Sequence, residues 1–301
     1  MTTNRGHSSI LVALFLAGRP KTLVACIVPV CLGGLLSREI LDEFTLYLFI
    51  FTLLPALAIQ IATNLFNDAI DYRKGADTPG RIGPERMASS GRLPPESLLI
   101  AGIAFVMIAL TLSLVLVIER GWIIVAIGLP SLAFSYGYTG GPFPLAYRGL
   151  GEIFVFLFFG LIAVSGTVFV QSGTWLPESL LLGTQVGLLA AVLVAINNAR
   201  DIEEDRAAGK CTLAVMLGIG FARMEIAALS VLPYLAGVLW WRLFDQPKAA
   251  WMPLPGMALS CPVAYLLFRY DPCHKYNRYL GFSVLGLINF SILMGLALNS
   301  G

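Results

Sequence analysis

Nine apolar runs divide the chain, at residues 22–36, 44–65, 98–118, 122–136, 153–170, 180–196, 226–243, 252–268 and 279–298. In a bilayer every backbone N–H and C=O must be paired within the protein, so runs of this kind fold as helices. A span takes roughly 17 to 25 apolar residues. The expected fold is all-α, a polytopic membrane helical bundle of nine transmembrane helices with a polar cap on the cytoplasmic side, in one transmembrane domain over residues 1–301. Composition agrees: 57% of residues are hydrophobic and 13% charged, about half the roughly 25% charge of a soluble domain. Residues 8–17 are apolar but too short to span, and read as part of an amino-terminal interfacial segment, 1–18. No A-x-A-like cleavage site follows the first run, which therefore reads as a retained span.

With nine crossings the loops alternate sides. All but Arg38, Arg120, Arg242 and Lys248 of the 20 lysines and arginines then fall on one side. Basic loops stay in the cytoplasm, so the amino terminus is expected inside, the carboxyl terminus outside, and the polar cap on the inner face of a cytoplasmic membrane. A net charge of +2 gives no reason to expect nucleic acid. The five cysteines contain no C-x-x-C pair and the two histidines, His7 and His274, stand alone. Neither a disulfide framework, a zinc site nor histidine chemistry is indicated.

Polar residues concentrate at two places. Asn64, Asn67, Asp68 and Asp71 follow the second run at i, i+3, i+4 and i+7, one helical face if the helix continues through them. Asn197, Asp201, Glu204 and Asp205 follow the sixth at i, i+4, i+7 and i+8. The pattern N-x-x-N-D-x-x-D-x-x-x-G of 64–75 is answered by N-N-x-R-D-x-x-x-D-x-x-x-G-K of 197–210, which reads as a repeated motif. Carboxylates at a bilayer are expensive and are paired or functional. Magnesium takes one or two carboxylates and completes its shell with water and substrate phosphate. Asp68, Asp71, Asp201 and Asp205 supply such oxygens, and Asn64, Asn67 and Asn197 add neutral ones. Lys74, Arg81, Arg86, Arg200 and Lys210 supply charge for phosphate oxygens, and Arg148 in the loop 137–151 is a further substrate-binding candidate. A single D-x-x-D is more often a solvated cap. Two of them, each with an asparagine one turn earlier and basic neighbours, favour a metal-diphosphate site between the two helix ends.

A diphosphate leaving an allylic lipid leaves a carbocation, which needs walls that exclude water. Phe134, Tyr136 and Tyr138, with Phe154, Phe156, Phe158 and Phe159, are suited to that role. Lipid-facing or interhelical packing stays open for each phenylalanine, whereas Tyr136 and Tyr138 need polar partners when buried. The glycine- and proline-rich segment 137–151 reads either as a flap over the site or as an ordinary turn.

Four stretches, RPKTL (19–23), NLFNDAIDYRKGADT (64–78), YTGGPFPLAYRGLGEIFVFLFFG (138–160) and NNARDIEEDRAAGKCTLAVMLG (197–218), resemble the intramembrane aromatic prenyltransferases of the UbiA superfamily. The third is most similar to the branch acting on 1,4-dihydroxy-2-naphthoate in menaquinone or phylloquinone synthesis. ERMASSG at 85–91 departs from the Val-Thr-Gln-Ser-Gly more usual there. The resemblance implies a nine-helix bundle in contact with membrane lipid. It also implies Mg2+ held by Asp68, Asp71, Asp201 and Asp205 with Asn64 and Asn197 in support, and diphosphate contacts from Arg19, Lys21, Lys74, Arg81 and Arg86. The implied reaction moves a polyprenyl group from a polyprenyl diphosphate to a ring carbon of 1,4-dihydroxy-2-naphthoate with loss of the carboxylate. Competing readings are another aromatic acceptor, 4-hydroxybenzoate or homogentisate, and, from other classes, a transporter or a non-catalytic lipid-binding subunit. A transporter would place its polar residues in broken helices near the midplane.

Overall fold

The computed structural model describes residues 10–78 and 81–300. Its helices are α1 (Ile10–Ala17), α2 (Pro20–Leu41), α3 (Leu46–Arg73), α4 (Pro95–Arg120), α5 (Trp122–Gly137), α6 (Gly151–Ser172), α7 (Pro177–Arg200), α8 (Ile202–Ala207), α9 (Leu213–Phe244), α10 (Pro247–Arg269) and α11 (Tyr276–Asn299). No strand occurs among the described residues. Proline opens α2, α4, α7 and α10, where its missing N–H costs nothing because the first turn has no partner to offer. Glycines with positive φ turn the chain at Gly121 (74°) and Gly173 (75°), which an L side chain resists.

Eight of the nine expected apolar runs lie within helices and the second begins two residues ahead of α3; among the described residues 8 helices are long and apolar enough to cross a membrane. Trp122–Gly137 has 16 residues and falls short of that length. The seventh run begins earlier than its hydropathy suggests. Thr212 caps α9 by accepting from the Val215 amide at 3.3 Å, and Gly218 (φ 84°) then kinks the helix. Of the expected interfacial segment, Ile10–Ala17 forms a helix whose Ile10, Leu11 and Phe15 are exposed while Ala13 and Ala17 pack on α3 and the segment 87–93. Ser8, His7 and Arg5 lie outside the described residues, as do positions 79–80 in the first polar loop.

α7 is the axis of the bundle. In its most apolar stretch 78% of residues are buried, against 17% in α4, so α4 faces the surroundings and α7 the core. Val28, Leu32 and Leu36 of α2, Val164 and Val168 of α6, Leu182, Val186 and Leu189 of α7, and Phe290 and Met294 of α11 form the largest apolar cluster. α6 and α7 cross at glycines. A β-carbon on Gly160 would collide with the Gly183 carbonyl and the Gly187 backbone, so only glycine permits this approach. At the same crossing α6 widens to a π-helical turn over Phe156–Ile162, a distortion that recurs near functional sites. A buried core amide is paired at both ends: Gln185 donates to the Pro233 carbonyl and accepts from the Trp240 indole, both at 2.7 Å.

Candidate active site

α3 runs on to Arg73, so Asn64, Asn67, Asp68 and Asp71 do share a face at its end, and Asn64, Asp68 and Asp71 are buried. The second motif differs from its expectation. α7 stops at Arg200, and Asp201 leaves helical geometry (φ −96°, ψ 15°) before α8 begins. The i, i+4, i+7, i+8 spacing thus spans two helices. At that break the Arg200 guanidinium turns back onto the next residue and grips both Asp201 oxygens at 2.6 and 2.7 Å. The motifs nevertheless end alike. The Ala76 amide donates to the Asp71 carbonyl and the Lys210 amide to the Asp205 carbonyl, each at 2.8 Å, around glycines of matching φ, Gly75 at 73° and Gly209 at 70°.

These two ends line a single cavity of about 380 Å³, within the range of small-ligand sites. Among the polar candidates, Arg19, Lys21, Asn64, Asn67, Asp68, Asp71, Arg81, Arg86, Tyr138, Asn197, Arg200, Asp201, Glu204, Asp205 and Lys210 line it. Lys210 joins the motifs, its Nζ 3.9 Å from Asp71 and 3.4 Å from Asp205. Arg81 ties the segment just past the first motif to the second, bonded to Asp77 and at 3.0 Å to Asp201. Arg19, held at φ 50°, donates to the side-chain Oδ1 of Asn67 at 3.2 Å, while Asn64 donates to the Gly18 backbone carbonyl at 2.9 Å and ties down the α1–α2 turn. Asp68 accepts the Met87 and Ala88 amides at 3.0 and 3.1 Å. The ERMASSG segment, which departs in sequence, is thus tied to the first motif through its backbone.

The model of the UbiA prenyltransferase family matches residues 22–287, which take in both motifs and most of the cavity lining. The chain belongs to that family. It is 36% identical to 1,4-dihydroxy-2-naphthoate octaprenyltransferase of Bacillus subtilis, over 72% of this chain and 70% of that protein. Identity is also 36% to the Escherichia coli protein of the same name, over 70% of each. A UbiA homologue from Archaeoglobus fulgidus, solved with DMAPP and Mg2+, shares the fold at a TM-score of 0.64 and 15% identity, over 93% of this chain and 98% of that one.

Charge in the UbiA-family cavity is tightly matched. Burial alone would raise Asp201, but the hydrogen bonds and charge of Arg200, with Arg81, hold it below the usual carboxylate range. Burial pushes Asp205 up to about 6 against the pull of Lys210, and Asp77 up to about 7 despite Arg81. Burial also works against the Lys210 ammonium, yet Asp71 and Asp205 outweigh it and keep the charge. Asp205 Oδ2 is buried without a hydrogen-bond partner among the described residues, an acceptor left over in a dry site. No group of three or more His, Cys, Asp or Glu stands ready to hold a metal among those residues. The carboxylates that line the cavity, few and interleaved with bases, suit a hard cation that would borrow most of its shell from phosphate and water.

Three candidates with polar groups lie elsewhere, as do Phe134, Phe156 and Phe158. Lys74 is exposed at the rim, donating to the Thr139 carbonyl at 2.8 Å and lying 4.0 Å over the Tyr147 ring. Tyr136 is exposed and packs edge-on against Phe66. Arg148 covers the Phe143 ring outside the cavity. Conversely, the structure brings in Asp77, Tyr147, Glu152 and Asn198. Tyr147 donates to Asp71 at 2.8 Å, and Asp77 receives Arg81 and Arg86. Asp77, Tyr147 and Glu152 sit inside motif stretches quoted above, and their acid or phenol chemistry was the available signal. Only the fold turns them toward the site.

Proposed function

We propose that this protein transfers a polyprenyl group from an allylic prenyl diphosphate to a ring carbon of 1,4-dihydroxy-2-naphthoate, with loss of the carboxylate, yielding a demethylmenaquinol-type precursor. The observation that carries this reading is Lys210 standing 3.9 Å from one acidic motif and 3.4 Å from the other over one cavity. The family and the 36% identity to two naphthoate octaprenyltransferases support the substrate pair. Mg2+ is the proposed metal, as in the A. fulgidus homologue with DMAPP. Asp68, Asp71, Asp201 and Asp205 would hold it, with Asn64 and Asn197 in support. Bound there, it neutralises charge developing on the departing diphosphate. Arg19, Lys21, Arg81, Arg86 and Lys210 bind and orient the diphosphate oxygens. Tyr138, Phe154 and Phe159, which line the same cavity, keep water from the allylic carbon and offer π-faces to its positive charge.

The reading includes nine spans in one transmembrane domain, with the site on the cytoplasmic face. Parity supports it. The ends of α3 and α7 line the same cavity, so the chain crosses an even number of times between them, and α4, α6 and α7 are three crossings without α5. At 16 residues α5 is roughly 24 Å long, close to a hydrocarbon core of roughly 30 Å.

Purified protein in detergent with Mg2+, a series of prenyl diphosphates and a panel of aromatic acids tests the proposal. Product mass is expected to equal the naphthoate plus the prenyl group minus carbon dioxide. A product that keeps its carboxylate, a preference for 4-hydroxybenzoate or homogentisate, or binding without diphosphate release would overturn it.

A further inference from the structure

Below the phosphate-binding end, the cavity wall holds a carboxylate that the diphosphate chemistry leaves unused. Glu152, in the first turn of α6, is 5% exposed. Its Oε1 accepts from the Asn198 amide at 2.6 Å, while Oε2 is buried with no hydrogen-bond partner among the described residues. Both side chains line the cavity, beside Tyr138, Phe154 and Phe159. The Tyr138 hydroxyl lies 3.0 Å from where a β-carbon on Gly151 would stand, so this glycine makes room for it. The Tyr138 ring is 5.4 Å from Phe154, which stacks on Phe158 at 4.4 Å. A buried carboxylate with an idle oxygen is costly, and a structure retains one where a ligand supplies the missing donor.

We propose that Glu152 Oε2 accepts a hydroxyl of the aromatic acceptor, and that Glu152, Asn198 and Tyr138 form the corner that recognises it, with Phe154 and Phe159 against the ring. The inference rests on the aromatic-prenyltransferase reading and assigns the acceptor end of that site. Asn198 directly follows Asn197 of the second motif, so its bond to Glu152 sets the acceptor at a fixed distance from the diphosphate carboxylates. A phenolic hydroxyl donating to a carboxylate in a dry site makes a charge-assisted bond and leaves more electron density on the ring carbon that attacks. The acceptor's own carboxylate is repelled by Glu152 and turns toward the cationic end.

The test uses the full chain in detergent, with Mg2+, a prenyl diphosphate, 1,4-dihydroxy-2-naphthoate and its two mono-methyl ethers. Wild type is expected to use one ether at least roughly 100-fold less well than the parent, because a site built to receive a hydroxyl rejects the analogue lacking it. Glu152→Gln is expected to raise the acceptor KM by roughly 10-fold or more while the prenyl diphosphate KM stays within about twofold, and to shrink the ether discrimination. Glu152→Asp, which keeps the charge, restores part of that discrimination. Use of both ethers as readily as the parent by wild type overturns the inference even if Glu152→Gln fails to fold. So does a folded Glu152→Gln with wild-type acceptor KM and discrimination. A wild type that prenylates no aromatic acid at all removes the functional reading instead.

Discussion

Asp77 shows how one buried acid couples the site to pH. It sits between Arg81 and Arg86 at 4% side-chain exposure, and burial raises it from 3.8 to about 7 in spite of Arg81. A carboxyl whose folded pKa lies above its unfolded value stabilises the fold below the unfolded pKa, and that contribution is lost as pH rises through the folded one. Wild type is therefore expected to lose part of its thermal stability between pH 4 and 7. Asp77→Asn is expected to flatten that slope, measured by melting in detergent across the range; an unchanged slope refutes the assignment. Asp77 was illegible as a site residue because it lies i+6 from Asp71, off the helical face that the spacing defines. Tyr147 is similarly a loop residue whose bond to Asp71 depends on where segment 137–151 folds. Asn64, Asn67, Asp68 and Asp71 were legible because α3 is regular to its end.

The elements themselves were written in hydropathy, since each apolar run must bury its backbone bonds in a helix. What hydropathy does not carry is how helices end and cross. Spacing alone reads 197–205 as one helix, whereas the backbone breaks at Asp201, where Arg200 holds both carboxylate oxygens. The π-helical turn at Phe156–Ile162 answers a crossing with α7 that no local pattern announces. That crossing makes a sharp prediction. Gly160→Val pushes into the backbone of Gly183 and Gly187, costs about 1–3 kcal/mol by overpacking, and is expected to lower the melting temperature by several degrees along with activity. Gly166→Ala on the same helix meets only Ile127, at 4.0 Å, and is expected to melt as wild type does. Equal melting of the two variants would show that the crossing is loose.

At the scale of the whole molecule, two motifs far apart in sequence reach one cavity because the helices between them return the chain to the same end of the bundle. Cys211 is exposed beside Lys210 of the second motif. A membrane-impermeant maleimide is expected to label it in inside-out vesicles and not from outside; labelling from outside would invert the topology. The central claim is that the motifs close on one metal-bound diphosphate, and metal-dependent binding of a non-hydrolysable prenyl diphosphate to Asp71→Asn, Asp205→Asn and the double variant tests it most directly. The account predicts that each single change weakens binding by roughly 100-fold and that the double change adds little, as for residues acting as a unit. Wild-type affinity in either single variant, or two losses that simply multiply, would contradict it.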